Sequence, residues 1–395
     1  MRLKFALIII SFLLIDNMRA QTTTAFGDNL NTITSAVPFL TISPDARAGS
    51  MGEVGVATSA DVHSLHWNAS KLAFLNDQRG LAISYTPWLS KLVPDISLAY
   101  LTGYSKINDN SAWSVALRYF SLGNIQFTDE TGEIYGTFDP NEYTFDFGYG
   151  MKLNNNFSGG LAMRYIYSNL TGNQFVAGQE TEPGNAFAFD LSAYYESDPT
   201  EKNQWASGIS ISNIGTKISY TETDEKDFLP MNLKMGGRYT MQIDEYNTMS
   251  FAMDLNKLLV PTPPVYDGSG QTEASNIIAG QDPNVSVISG LFQSFGDAPG
   301  GLQEEWRELM YSFGLEYWYN NQFAFRGGYF HEHETKGNRK YFTLGAGLKM
   351  NVFSLDFAYL VTANPEVKSP LENTMRFTLV FDIGAFNSMN NETTQ

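Results

Sequence analysis

Alternation constrains this chain more than any other feature. In Phe157, Gly159, Leu161, Met163, Tyr165 and Tyr167 every second residue is apolar or Gly, and Ser158, Gly160, Ala162, Arg164, Ile166 and Ser168 lie between them. The same period of two runs through Trp113, Val115, Leu117 and Tyr119, and through Phe353, Leu355, Phe357, Tyr359 and Val361. Further runs span 143–153, 187–195, 233–243, 249–255, 311–319, 342–350 and 375–383, with weaker ones at 81–87, 96–104, 205–213 and 323–330. That makes about fourteen candidate strands, each with one greasy face and one polar or small face.

A soluble sandwich also alternates, so the connections decide. Short ones (107–110, 154–156, 198–203, 244–246, 320–321 and near Asn351) alternate with long ones (121–142, 170–185, 214–230 and 259–304). Outer-membrane barrels are built this way, with short periplasmic turns and longer outer loops. Many runs reach the ~9–11 residues that a tilted spanning strand needs. Tyr85, Trp88, Trp113, Tyr143, Trp205, Trp306 and Tyr319 fall near run ends, where interfacial girdles sit. The expected fold is an all-β transmembrane antiparallel barrel of about fourteen strands, with an even count placing both termini in the periplasm of a bacterial outer membrane.

Composition agrees. Charged residues are 17% and aromatics 14% of the 395 residues, which excludes a disordered chain. Beyond the N-terminus no apolar stretch is long enough for a membrane helix. A net charge of -17 argues against a nucleic-acid partner, and zero Cys excludes a disulfide framework, a thiolate metal site and a cysteine nucleophile. Residues 1–20 read as a secretory signal. Arg2 and Lys4 precede an apolar core, Phe5 to Ile15, and Met18-Arg19-Ala20 forms a cleavage site before Gln21.

The polar face of the runs carries both signs. Arg118, Lys152, Arg164, Lys234, Arg238, Arg326, Lys349 and Arg376 interleave with Asp146, Asp190, Asp254, Glu316, Asp356 and Asp382. A water-filled channel is one reading. The many Gly, Ala and Ser between these charges favour something packed inside. Residues 21–77, ahead of the barrel at 78–385, are the candidate, an N-terminal luminal hatch. Gly49, Gly52 and Gly55 lack the preceding strand and following Lys-Ser/Thr of a phosphate loop, and read as tight turns and close backbone approach.

Catalytic signals are weak. His331-Glu332-His333-Glu334 puts two imidazoles on one strand face, but no third ligand has a recognisable spacing. Among four His no Gly-x-Ser-x-Gly elbow appears. No cofactor and no metal is expected, and no enzyme activity. The informative irregular segment is 259–304, opened by Pro261-Thr262-Pro263-Pro264 and closed by Gly300-Gly301. Within it Ile288, Leu291, Phe292 and Phe295 fall at i, i+3, i+4 and i+7. They either pack onto the barrel mouth or offer a contact surface to another protein. Trp88 and Leu89 in a second outer loop pose the same alternative, with interfacial anchoring as the first.

The stretch from Asp45-Ala46-Arg47 through Met51-Gly52 and Ala57 to Leu65-His66-Trp67-Asn68 resembles the N-terminal hatch signature of FadL-like barrels. Trp67-Asn68 is followed here by Ala69-Ser70, where such hatches commonly carry Pro-Ala. Within that family the chain most resembles the outer-membrane shuttle proteins of the type IX secretion system, over nearly its whole mature length. The resemblance assigns Arg47, Gly49, Gly52, Trp67 and Asn68 to the hatch. It implies a carrier that binds the C-terminal signal domains of secreted cargo. Its partners would be the large outer-membrane translocon barrel, a surface sortase with its attachment complex, and outer-membrane lipid. The alternatives are a transporter of hydrophobic small molecules and an outer-membrane lipid deacylase. Residues 386–395 form a polar tail beyond the last run, a departure from barrels that end on an aromatic residue.

Overall fold

The computed structural model describes residues 30–384 apart from 92, 94, 129–132, 173–174, 177–178, 199–201, 222–225, 268–272 and 364–368. The expected leader and C-terminal tail lie outside the described residues. The chain divides into two units, Met1–Asn31 and Thr32–Gln395, and every element below belongs to the second.

Fourteen strands form one closed sheet. They are β1 (Arg79–Pro87), β2 (Ser97–Asn108), β3 (Ser111–Ser121), β4 (Asn141–Lys152), β5 (Phe157–Asn169), β6 (Gly184–Glu196) and β7 (Asn203–Gly215). The second half comprises β8 (Asn232–Gln242), β9 (Asn247–Leu258), β10 (Met310–Tyr319), β11 (Phe323–His331), β12 (Lys340–Lys349), β13 (Phe353–Thr362) and β14 (Met375–Asp382). Each strand pairs antiparallel with the next, and β1 returns to β14, from Gly80 opposite Asp382 to Tyr85 opposite Phe377. Closure leaves no open edge, the condition for a sheet to sit in hydrocarbon.

The period of two becomes two surfaces. Leu81, Ile83 and Tyr85 of β1, Phe145 and Phe147 of β4, and Leu161 and Met163 of β5 are exposed on the outside. Their neighbours Ala82, Ser84 and Thr86, Thr144 and Asp146, and Ala162 and Arg164 are buried. An apolar exterior is what a lipid solvent selects, and the inward positions are free to be polar. Connections at one rim are short; at Asn320 and Asn321 the backbone takes left-handed φ, which Asn tolerates better than most residues. The other rim carries the long connections, the longest running from 259 to 309 between β9 and β10.

The chain between Pro38 and Leu75 packs on the inward side chains. It forms a 3₁₀ turn (Pro38–Thr41), α1 (Ala46–Gly49), α2 (Ser64–Trp67) and a second 3₁₀ turn (Ala69–Phe74). Its start is anchored by Phe39, stacked 5.9 Å from Phe120, in a cluster with Val37, Leu40, Ile42, Leu98 and Ile166. Leu65, Ala69 and Leu72 make a second cluster with Ala82, Tyr100, Ala116 and Ala162 of the wall.

Candidate functional site

Two regions carry the chemistry, the inner segment against its wall and the long connection at the opposite rim from the short turns. In the first, Asp45 ties two turns together. Its Oδ1 accepts the Ala48 N–H at 2.8 Å, capping α1, and its Oδ2 accepts the Trp67 indole N–H at 2.7 Å. Asn68 donates to the carbonyls of Val56 and Ala193 at 3.0 and 3.1 Å. Arg47 reaches across to Glu316 of β10 at 2.9 Å and to Asp61 at 2.8 Å. Glu316 also takes Arg326 at 2.8 Å, and Arg326 takes Asp356 at 2.6 Å. Arg376 holds Glu53 at 2.9 Å. Buried charges persist when each is paired and hydrogen-bonded, and these are. Burial pulls Lys71 down to about 8; its Nζ donates to the Gly55 carbonyl and Thr58 Oγ1 at 2.7 and 2.9 Å.

Small wall residues make room for this backbone. A Cβ on Gly160 would lie 2.2 Å from Ser70 N, on Gly208 2.4 Å from Val56 O, and on Gly328 2.1 Å from Gly52 N. Gly52 itself takes φ +65° and approaches the Tyr329 carbonyl, so no other residue type fits there without displacement. A Cβ on Gly49 would strike the Arg376 side chain. Gly55 lies flat against the Trp67 ring.

The long connection folds on itself. α3 (Val287–Gln293) starts at Ser286, whose Oγ accepts the Ser289 N–H, and α4 (Leu302–Arg307) follows Gly301. Leu291 and Val287 pack down on Phe228, Met231, Leu259 and Val260. Ile288, Phe292 and Phe295 are exposed, Phe292 to 71%. A buried ion network clamps the connection to the rim. Lys257 meets Glu305 at 3.0 Å and Glu308 at 2.5 Å, and Lys336 meets Glu304 at 2.6 Å and Glu308 at 3.0 Å. Thr262 Oγ1 also donates to Glu308, at 2.7 Å.

Of the residues singled out in the sequence, Arg47, Gly49, Gly52, Trp67 and Asn68 meet in the inner segment. Ile288, Phe292 and Phe295 share an exposed face, while Leu291 turns inward. Trp88 and Leu89 are half-buried, packed with Met310, Phe330, Tyr341 and Leu360. His331 Nδ1 lies 3.2 Å from the Tyr329 hydroxyl and His333 Nδ1 2.9 Å from Thr335 Oγ1, while Glu332 turns away onto Arg339 at 2.8 Å. Sequence reasoning missed α4. Trp306, expected near a strand end in the girdle, lies on that helix, 68% exposed, and Leu302 is exposed beside it. Their i, i+4 spacing was the available signal.

A closed fourteen-strand sheet, apolar outside and charged within, defines an outer-membrane β-barrel. Over residues 25–265 the sequence matches the family described as type IX secretion system protein PorV. The chain belongs to the PorV family, and is thereby an outer-membrane component of the type IX secretion system; the family is one of secretion components rather than enzymes. No curated protein matches it. It is similar in fold to the Ralstonia pickettii toluene transporter TbuX, at 12% identity over 89% of this chain and 98% of that one, TM-score 0.46. It is similar also to the Pseudomonas putida toluene transporter TodX, at 9% identity over 89% and 98%, TM-score 0.49. A Pseudomonas aeruginosa FadL homologue shows 12% identity over 89% and 99%, TM-score 0.41.

Proposed function

We propose that this barrel binds the C-terminal signal domains of secreted cargo at its long-connection rim and carries them from the translocon barrel to the surface attachment complex and its sortase. That rim faces the exterior, the short turns and both chain termini face the periplasm, and the inner segment acts as a hatch. The activity is non-enzymatic. The observation that carries this reading is the outer face of the long connection. Ile288, Phe292 and Phe295 stand exposed, as do Leu302 and Trp306, on a support fixed by buried Lys–Glu pairs. Exposed aromatic and aliphatic anchors on a rigid base are the usual makings of a protein contact. Trp88 and Leu89 would support the rim beside it. A conduit for hydrophobic small molecules fits less well, because Arg47 of the inner segment is tied to a charged run of the wall, Glu316, Arg326 and Asp356.

The test is a mild-detergent pulldown of the tagged chain from its own outer membrane, comparing wild type with Phe292→Ala/Phe295→Ala. Loss of two anchors is expected to weaken cargo-domain retention by roughly 2 kcal/mol or more, about thirtyfold, with barrel abundance unchanged. Unchanged retention removes these residues from the contact. Recovery of the barrel with lipid and no cargo domain removes the shuttle reading.

A further inference from the structure

The outer face of the wall is not uniformly filled. Between β7 and β12 it carries a groove of about 580 Å³. Trp205, its ring 4.4 Å from that of Tyr239, bounds one side, and Tyr329, 4.9 Å from Phe342, bounds the other. Phe313 and Leu315 lie exposed between them. The hollow comes from two outward-facing glycines, Gly237 of β8 and Gly327 of β11. These differ from the wall glycines that admit the inner segment. A Cβ on Gly237 would meet nothing closer than the Ala206 carbonyl oxygen at 3.7 Å, and on Gly327 nothing closer than that of Thr343 at 3.8 Å. Neither takes a positive φ, and no bulge breaks the pairing of either strand. Glycine weakens a strand, and neither backbone geometry nor the interior asks for it here. Close approach from outside is the use that remains.

The groove also has a polar head. His331 and Lys340 stand directly opposite each other on β11 and β12, on the same outward side as Tyr329 and Phe342. They lie two residues further along, about 7 Å nearer the long-connection rim. Lys340 enters no ion pair among the described residues; Glu332 is held by Arg339 at 2.8 Å, and Glu334 is exposed in the connection. The Tyr329 hydroxyl meets Nδ1 of His331 at 3.2 Å, which leaves Nε2 for a second partner. From this we infer that the groove seats one phosphate-bearing lipid of the leaflet beside the long-connection rim. An acyl chain lies over Gly237 and Gly327, and the phosphate reaches Lys340 Nζ and His331 Nε2. An ammonium at the membrane boundary attracts anionic headgroups, and charge-assisted hydrogen bonds fix them. Another barrel's lipid-facing wall, apolar like this one, would bring no anion to Lys340 and no slender chain to the hollow. A lipid brings both. The seat is independent of cargo binding.

The experiment uses the full chain in maltoside micelles, titrated with dimyristoyl-phosphatidic acid or dimyristoyl-phosphatidylcholine, with native mass spectrometry counting the lipid retained. Phosphatidic acid with brominated chains gives a second readout by quenching Trp205, and Trp205→Phe identifies that component. Phosphatidic acid is expected to bind about tenfold more tightly than phosphatidylcholine, the worth of one charge-assisted contact. Lys340→Gln should bring the two lipids level, and Lys340→Arg should restore most of the preference. Gly237→Leu with Gly327→Leu should remove retention of both lipids and the Trp205 quenching. The barrel should keep its heat-modifiable gel mobility, because both new side chains enter open space. Should the leucine pair not fold, Lys340→Gln decides alone: level lipids support the seat and an undiminished preference overturns it. Equal retention of the two lipids by wild type overturns the inference, as does a preference that survives the leucine pair. If the leucine pair instead loses a co-purifying protein in the pulldown while its lipid retention is unchanged, the groove belongs to a protein contact and the lipid seat is overturned.

Discussion

The inner segment and the long rim connection are both irregular chain held by buried charge, yet they end in opposite surfaces. Inside, Arg47, Asp61, Glu316, Arg326 and Asp356 pair with one another, and wall glycines bring backbone to backbone. At the rim, Lys257 and Lys336 hold Glu304, Glu305 and Glu308 below, and Phe292 and Trp306 are left in the open above. The contrast separates two uses of the same device. In the lumen, ion pairs finish a contact. At the rim, they fix the base of one that is unfinished.

That contrast can be broken at its strongest joint first. Glu316→Ala leaves Arg47 and Arg326 facing each other in a buried space, and should cost about 3–5 kcal/mol of barrel stability. Urea unfolding in micelles measures it, and a loss below 1 kcal/mol would mean that solvent already screens the lumen. Next comes Gly328→Ala, whose methyl would fall on the Gly52 nitrogen. Overpacking of this kind costs about 1–3 kcal/mol and should expose the inner segment to protease; an intact segment would show that β11 can move aside. The smallest effect belongs to the rim. Burial, helped by the charges of Glu305 and Glu308, lifts Asp297 to about 6 from 3.8, although it accepts the Thr262 N–H. The folded chain therefore holds this proton more tightly than the unfolded one. Stability gained that way is full below 3.8 and is lost as pH rises through about 6. Proteolysis of the long connection should be a few-fold slower at pH 5 than at pH 7, and Asp297→Asn should remove the difference.

The wall was legible because alternation needs no partner: every run read from the sequence became a strand, with ends moved by a few residues. β2 continues to Asn108 beyond the run at 96–104 because luminal positions such as Lys106 tolerate charge, which hides the end of a strand. The pool of luminal charges was legible too, but their pairing was not. Arg47 and Glu316 are 269 positions apart, and only the register of the closed sheet brings them together. The rim was half legible. The spacing of Ile288, Phe292 and Phe295 marked α3, whereas Trp306 resembled a girdle residue until its neighbour Leu302 placed it on a helix.

The contacts of α1 also set an order of events for assembly. Ala46 N–H donates to Thr378 Oγ1 at 2.9 Å, and Arg376 reaches back to Gly49 and Glu53. Among the earliest luminal residues to leave a ribosome, these find their partners on the final strand. A chain delivered from its N-terminus must keep Ala46, Gly49 and Glu53 waiting, these partners unmet, until β14 arrives to seal the wall. Seating the interior and shutting the cylinder thus become one step, and a barrel truncated before β14 loses its contents along with its seam.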